Sequence, residues 1–517
     1  MLFKALNNKE KDKAERSYIY SHTTKHLKFT VKSKRSQSAL EYMMTYGWAI
    51  LIIVIVAVIL YSMGIFNPSS SVTFTSSGFS PFTISSSLCN NLGYKIAIIA
   101  GPIPNNANYI TINKVFVTSA TGANTTTASY TLTNPVTLKS GQSTTILIPN
   151  VACNSANIHY SLSAKIQYSY TASTLGLQTI NTTGTVAGTS ITGKPSALTT
   201  YEPITITNTQ SSATPSPFQQ MVNFTSADPG FSSIATGNFG QNVEFFYYNG
   251  TVIPSWLENY TSTNATWWLK IAAIPAGSSE TVYVGFAPAS KNLFNTVNDG
   301  EAPQLTCPNP SDTASCSTYA EYDDGANVFN NYWNFAGTVL PNGWYSFGSA
   351  SVVVSNGLIA PAGPSAGARY NLSSLPSGIL EVYNNQTSGE TAGFSNVGID
   401  NESLGKGLIW MELNSKPTVI SPGYWLPVSI NGLTPLEPTD IYAITGVYYI
   451  NPYVVWYYND QAVQTYDYGL NYVLKSITIY NGGDASSGGD QISVKWVRIR
   501  AYPPNGVMPS VSFGSVA

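Results

Sequence analysis

The sequence predicts a mainly β protein, with one N-terminal transmembrane helix followed by three β modules. Charge is the first observation behind that prediction. Only 10% of the 517 residues are charged while 43% are hydrophobic, against about 25% charged in an ordinary soluble domain. Ser, Thr, Asn, Gly and Tyr fill the difference, which is not the surface of a cytosolic enzyme. The second observation is aromatic and turn content. With 34 Tyr, 20 Phe, 10 Trp, 41 Gly and 30 Pro, the chain is too aromatic for disorder and favours many short strands joined by turns. The third is one long apolar run near the N-terminus. At about 150 residues per domain, the length calls for several cores.

Charge is also segregated. Residues 1–35 hold ten bases, from Lys4 to Arg35, and three acids, Glu10, Asp12 and Glu15, although the whole chain carries a net charge of −2. A basic head on a weakly acidic body is not a nucleic-acid-binding profile, because phosphate neutralisation needs a basic face on a folded domain. No nucleic-acid partner is expected. From Met43 to Phe66 no residue is charged, and the run is about the 20 apolar residues that a bilayer requires. Lys32, Lys34 and Arg35 precede it and no charge follows until Lys95, which keeps the N-terminus in the cytoplasm and places everything after Pro68 outside. The expected location is the cell membrane, single-pass, with an extracellular C-terminal region.

The residues in front of the run, Lys34-Arg-Ser-Gln-Ser-Ala-Leu-Glu-Tyr42, resemble the class III signal peptide of archaeal type IV pilin-like proteins. There, a basic pair precedes a cut before Gln, and a Glu sits at the fifth mature position. Ser36, Gln37 and Glu41 are the matching positions; Ser36 stands where Gly is usual, and a leader of residues 1–36 is longer than usual. The resemblance implies that an archaeal prepilin peptidase removes the basic leader. Residues 37–67 would remain as a transmembrane stem that packs against other pilin-like subunits. Glu41 has a physical reason of its own: a carboxylate at the head of an apolar helix is costly unless paired, and cleavage before Gln37 creates an α-amine four residues away.

Past Pro68 the chain alternates apolar and polar residues in short runs separated by Gly, Asn, Pro and Ser. Residues 68–195 form a first module, with strands expected at Tyr94–Ala100, Tyr109–Thr118, Ser143–Ile148 and Ile158–Tyr170. Its position resembles the β head of pilin-like proteins. The second module, 196–320, begins with Tyr201–Thr207, an expected edge strand because it contains Pro203. Its landmarks Asn242–Gly250, Trp267–Ile271 and Ile274–Phe286 resemble a β-sandwich family known as domain of unknown function 2341. The third, 321–505, opens on Glu321–Gly325 and closes on Val454–Tyr458, a turn at Asn459-Asp460, then Gln461–Tyr466, Ile477–Tyr480 and Ile492–Arg500. That end is similar to the closing strands of laminin G-like, concanavalin-like jelly rolls. Residues 506–517 are left as a C-terminal tail. The expected fold class is therefore mainly β, a transmembrane helix followed by three β-sandwich or jelly-roll modules.

Candidate chemistry is sparse. Beyond the leader the only histidine is His159, so a histidine-based triad or His-rich zinc site has no material. Glucanases built on jelly rolls carry a clustered Glu-x-Asp-x-(x)-Glu on one strand. Neither Glu381, followed by Val-Tyr-Asn, nor Glu412, followed by Leu-Asn-Ser, fits. No catalytic residue is assigned, and the chain is expected not to be an enzyme. Trp410, Trp425 and Trp456 are candidate platforms for sugar rings, although aromatics in a sandwich are more often core. Asp323 and Asp324, with Asp484 or Asp490 from the last strands, offer hard oxygen ligands to Ca²⁺; the competing reading is a solvated acidic turn. No other cofactor is expected. Of the three pairings that four cysteines allow, module boundaries favour Cys89 with Cys153 and Cys307 with Cys316, and export favours their oxidation. Nine Asn-x-Ser/Thr sequons are candidate glycosylation sites: Asn124, Asn181, Asn223, Asn249, Asn259, Asn264, Asn371, Asn385 and Asn401.

Together these expectations describe an archaeal cell-surface, pilin-like adhesin with carbohydrate-binding β modules, a minor or tip subunit of a type IV pilus-like filament. Its expected partners are the peptidase, other pilin-like subunits, the membrane and surface glycans. The alternatives are a singly anchored surface lectin or envelope protein and, third, a glycoside hydrolase.

Overall fold

The computed structural model describes residues 46–47, 50–52, 54, 74–104, 107–124, 127–307, 316–372, 378–387, 395–400, 409–412, 418–420, 427–429, 442–450, 453–467, 475–482 and 491–517. The chain divides into two compact units, Met1–Ser71 and Val72–Ala517. In the first, the described residues Tyr46, Gly47, Ile50, Leu51, Ile52 and Val54 are helical and exposed. Among the described residues no helix is long and apolar enough to cross a membrane. Most of the expected span 43–66 lies outside them, as do Ser36, Gln37 and Glu41.

The second unit is built of strands, with short helical turns at Pro229–Ser233, Gly325–Val328 and Pro504–Gly506 among its described residues. Its first module has eight strands: β1 Thr75–Gly78, β2 Phe82–Asn90, β3 Gly93–Ala100, β4 Ile110–Thr121, β5 Ala128–Leu138, β6 Ser143–Ile148, β7 His159–Ala172 and β8 Gly176–Thr189. In β7 every second residue from Tyr160 to Tyr170 is buried, the two-residue period of a strand with one face in a core. Sheet β1-β8-β7-β4-β5 packs with sheet β2-β3-β6, and Tyr94, Ile96, Ile112, Leu162 and Ile166 fill the core. Cys89 is bonded to Cys153.

The second module contributes β9 Thr200–Asn208, β10 Phe218–Thr225, β11 Val243–Phe246, β12 Ser255–Tyr260, β13 Asn264–Ile271, β14 Ser278–Phe286 and β15 Asp299–Glu301. Cys307 is bonded to Cys316 in the segment that follows. The third contributes β16 Asn331–Trp333, β17 Trp344–Gly348, β18 Val353–Val354, β19 Leu358–Ala360, β20 Ala366–Asn371, β21 Gly378–Thr387, β22 Ser395–Asp400, β23 Ile409–Glu412, β24 Thr418–Ile420, β25 Pro427–Ser429, β26 Ala443–Ile450, β27 Tyr453–Tyr458, β28 Gln461–Asp467, β29 Ser476–Asn481 and β30 Gln491–Ala501. One of its sheets runs β18-β19-β30-β21-β26-β27-β28 with β16 on β30, the other β17-β20-β29-β22-β23-β24-β25. Two large antiparallel sheets sharing a core of Val382, Ile399, Trp456, Ile479 and Val494 make a jelly-roll-like sandwich.

The last strand, β31 Ser510–Phe513, corrects an expected boundary. Residues 506–517 are not a tail: β31 pairs antiparallel with β9, from Ser510 opposite Thr207 to Phe513 opposite Ile204. It completes sheet β11-β14-β9-β31, which packs with β10-β13-β12-β15 around Ile206, Phe224, Trp267 and Val284. The jelly roll is therefore inserted between β15 and β31 of the second sandwich. Nor is β9 an edge strand, since it lies between β14 and β31. Pro203 is accommodated because the β31 ladder stops at Ile204. Gly514 N–H then donates to the Pro203 carbonyl, and Tyr201 and Ala517 exchange backbone bonds, so the absent proline N–H falls in a gap of the ladder.

The first module docks on the second through Tyr248. Its hydroxyl donates to the Gly93 carbonyl at 2.7 Å, Asn90 Nδ2 donates to the Tyr248 carbonyl, and Leu92, Leu198, Phe246 and Tyr283 surround the ring.

Candidate binding cleft at the junction of two modules

Strand β30 carries Val497 and Ile499 into the jelly-roll core. Alternation turns Arg498 and Arg500 to the opposite face, toward the second sandwich. Arg498 is fully buried, and each arm of its guanidinium meets a carboxylate. Nη1 donates to Glu258 Oε2 at 2.5 Å, Nε to Glu381 Oε2 at 2.7 Å, and Nη2 to Asp460 Oδ1 at 2.7 Å. Arg500 Nη2 takes the other Glu381 oxygen at 2.7 Å, and Trp268 Nε1 adds a bond to Glu258 Oε2 at 2.8 Å. The rings of Trp268 and Trp496 lie 4.6 Å from the Arg498 guanidinium and that of Phe329 4.8 Å, an aromatic cage for a desolvated cation.

The acids respond differently to this setting. Burial alone would raise the Glu381 carboxyl, but the Arg500 and Arg498 guanidiniums outweigh it and hold Glu381 below its ordinary value. Glu381 is thus a structural counter-ion. For Asp460 the balance reverses: burial, then the adjacent Glu258 charge, hold it well above the carboxylate range despite Arg498.

Beside this cluster lies a cleft of about 430 Å³, lined by Glu258 and Asp460, by Asn223, Asn259, Asn264 and Thr266 of the second sandwich, and by Tyr383, Tyr442, Asn459 and Gln461 of the jelly roll. Strand register assembles the first wall, with Asn223 and Asn259 both opposite Thr266 on β13. A tight turn supplies the second: Asn459 and Asp460 have φ of 44° and 64°, the two positive values that a two-residue hairpin loop requires and that Asn and Asp tolerate. Asn459 locks that turn, its N–H donating to the Ile444 carbonyl and its Oδ1 accepting from the Ile444 N–H. Tyr383 is held by stacking on Trp496, with ring centroids 5.5 Å apart. Amides, a hydroxyl and carboxylates beside phenol rings can exchange several hydrogen bonds with a hydroxyl-rich ligand while offering apolar faces.

Sequence reasoning missed Glu258, Asp460 and Arg498. A signal was present: two arginines two residues apart in the otherwise apolar run Trp496–Ala501 share one face, and a buried cationic face demands acidic partners.

The predicted sites fare differently. Asp323 is not free to bind a metal, because Oδ1 accepts from Trp256 Nε1 and the Gly325 N–H, and Oδ2 from the Tyr332 hydroxyl and Asn334 Nδ2, all between 2.7 and 3.0 Å. Asp324 is 1% exposed and is no solvated turn residue. Asp484 and Asp490 lie outside the described residues, and among the described residues no three His, Cys, Asp or Glu are arranged to hold a metal ion. Trp456 is core, not a sugar platform; Trp425 and the Trp410 side chain lie outside the described residues. His159 is exposed at the start of β7. Of the sequons, Asn124, Asn181, Asn223, Asn249, Asn259 and Asn371 are exposed and Asn264 is half-buried, while Asn401 lies outside the described residues. Asn385 is buried within β21, which corrects its candidacy as an acceptor.

No family model matches the chain. A 136-residue stretch is 35% identical to uncharacterized protein 562 of Sulfolobus islandicus rod-shaped virus 1, covering 25% of this chain and 21% of that protein. The chain thus matches about a fifth of the length of this curated relative. Among solved structures, a protein from work on endo-acting O-glycanases of human gut microbiota is similar at 15% identity over 34% of this chain and 99% of its own, with a TM-score of 0.28. The catalytic domain of a Thermotoga petrophila laminarinase matches at 11% over 33% and 96%, TM-score 0.26. A pseudo-β-1,3-glucanase of Mycobacterium tuberculosis matches at 11% over 34% and 98%, TM-score 0.25. These neighbours correct the expectation that the chain is not an enzyme, since glycan-cleaving enzymes stand among the structures it resembles. They assign no residue and no activity to it.

Proposed function

We propose that the chain is a surface-displayed, glycan-binding protein of pilin-like build, carried on the stem 37–67 after removal of residues 1–36. The observation that supports binding is the polar cleft between the second sandwich and the jelly roll, where Tyr383 and Tyr442 stand among amides and the Glu258 and Asp460 carboxylates. Mass spectrometry of the native protein tests the stem: a mature N-terminus at Gln37 and loss of assembly in Glu41→Ala support that reading, and native protein that keeps residues 1–36 overturns it. The binding test presents the full chain, in detergent, to an array of polysaccharides. The parent is retained by a subset, and Asn223→Ala with Gln461→Ala, which leaves the Arg498 cluster intact, weakens retention at least about tenfold, the loss of one or two hydrogen bonds. Unchanged retention sinks the cleft. So does native protein carrying its own glycan on Asn259, because that glycan would fill the site.

A second reading has one observation of its own. Asp460 is raised by burial and by the Glu258 charge while the two share one guanidinium, and two carboxyl groups in contrasting surroundings are the kind of pair that glycan cleavage uses. Release of reducing ends by the parent, abolished by Asp460→Asn, selects it.

A further inference from the structure

Away from the cleft, β15 and the segment that opens the jelly roll bring together carboxylates that the protein leaves uncompensated. Asp324 is 1% exposed and Asp299 3%. Both Asp324 oxygens, Asp299 Oδ1 and Glu244 Oε1 are buried without a hydrogen-bond partner. Among the described residues the side chain that donates to this group is Asn295, through Nδ2 to Asp299 Oδ2 at 3.1 Å. The charges act on one another, Asp299 on Asp324 and Glu244 on Asp299. Among the described residues the ion pairs of the chain lie at Arg369, Arg498 and Arg500, and none reaches these acids. Gly300 permits the close approach: a Cβ there would stand 2.1 Å from Asp324 Oδ1 and 2.7 Å from the Tyr322 carbonyl oxygen. A carboxylate and a main-chain oxygen thus converge over a bare Cα that any other residue would block.

Neighbouring buried carboxylates without donors must either keep protons or share a cation. The neighbouring Asp323 shows the contrast, since four protein donors satisfy it. We propose that Asp299 and Asp324 are the carboxylate ligands of a Ca²⁺ site at the root of the inserted jelly roll, completed by main-chain oxygen and water. An all-oxygen donor set selects a hard cation, and the tolerance of Ca²⁺ for irregular geometry suits it better than the strict octahedron of Mg²⁺. With two carboxylates the site belongs in the weak class, with affinity of order 10⁻⁴–10⁻³ M. The inference relocates the metal from the Asp323, Asp324 and Asp490 trio expected from sequence, and it stands whether or not the cleft binds glycans.

The test uses the full chain in detergent at pH 7.5 after chelation. Addition of about 5 mM CaCl₂ raises its Tm by about 3 °C or more, and TbCl₃ gives luminescence on excitation of neighbouring aromatics, which Ca²⁺ competes away. Asp324→Asn abolishes both responses yet raises the metal-free Tm, because an amide keeps the shape and spares the folded chain the proton that the buried acid must take up at this pH. Asp299→Asn serves as the second variant if the first does not fold. A parent with no Ca²⁺ shift and no terbium signal overturns the site and leaves the acids as a protonated pair. Responses that persist in both variants overturn it equally.

Discussion

The first module and the interlocked pair that follows it are both β sandwiches, yet they treat charge in opposite ways. Among its described residues the first module buries no charged side chain. The pair buries Glu202, Glu258, Asp299, Glu301, Asp324, Arg369, Glu381, Asp400, Lys495, Arg498 and Arg500. Apolar alternation specifies which face of a strand is buried, but many apolar side chains satisfy it equally. A buried charge tolerates few alternatives, because it must find its counter-ion or be left unpaired at large cost. The contrast extends to connectivity. The longest ladder of the first module is the β7–β8 hairpin, whereas the second sandwich closes only when β31 returns past the whole jelly roll to β9. Buried ions in the pair thus stand where distant segments must be matched, with Arg498 joining β12, β21 and the β27–β28 turn.

The largest effect should come from removing that junction. Arg498→Met leaves Glu258 and Asp460 without a cation and Glu381 with Arg500 alone, and should cost about 5 kcal/mol, the upper end for a broken buried ion pair. Lys165→Met in the first module removes a cation 4.3 Å from the Phe116 ring on a half-buried face, and should cost less than about 1 kcal/mol. Denaturant unfolding of both variants compares them directly. Equal costs would erase the distinction between the modules.

Covalent staples sharpen the same comparison at a somewhat smaller scale. Cys89–Cys153 spans 64 residues and Cys307–Cys316 only 9, so the chain-entropy model assigns about 4 and about 3 kcal/mol to them. Replacing each pair by Ala should therefore hurt the first module more than the second, as read from the loss of hydrogen-exchange protection in β3 and β7 against that in β9 and β14. The reverse order would mean that the first module is held by its core alone.

What could be read in the sequence follows the same division. Expected Ser143–Ile148 coincides with β6, and expected Tyr94–Ala100 lies within β3, because local alternation and flanking turn residues determine both. The insertion of the jelly roll could not be read. Ser510-Val-Ser-Phe513 is four residues long, and nothing local names β9 as its partner. Pro203 pointed the wrong way, since its cost depends on which neighbouring residue would have needed its N–H. The candidate site was half visible: Asn459-Asp460 was legible as a turn, but its approach to Glu258 depends on how two sandwiches pack. Asp323 failed as a ligand for a related reason. Its oxygens are consumed by Trp256, Tyr332 and Asn334, side chains from two modules whose meeting no periodicity encodes.

The last predicted effect is the one that pH should expose. Glu202 lies in β9 and is fully buried. Burial, with the charge of Asp228 adding to it, pushes its carboxyl from 4.5 up to about 7, against partial opposition from the Gly230 N–H. Below about pH 4.5 the folded and unfolded chains both hold this proton, and its contribution to stability is fully present. Between 4.5 and 7 the unfolded chain gives it up while the folded chain keeps it, so stability declines as pH rises and the contribution is lost once pH passes 7. Asp299 and Glu301, pushed up to about 8 by burial first, add to this decline with the same sign and carry it on to about pH 8 in metal-free buffer. With chelator present, protection of β9 and β14 amides, corrected for intrinsic exchange, should fall between pH 5 and 8 while that of β3 and β7 stays level. Glu202→Gln should make the decline between pH 5 and 7 shallower and leave that above 7 unchanged, since Asp299 and Glu301 still titrate across the whole interval. A matching decline in β3 and β7 would show that the charge buried in the pair is felt throughout the compact unit, and the two modes of construction would then not be separable.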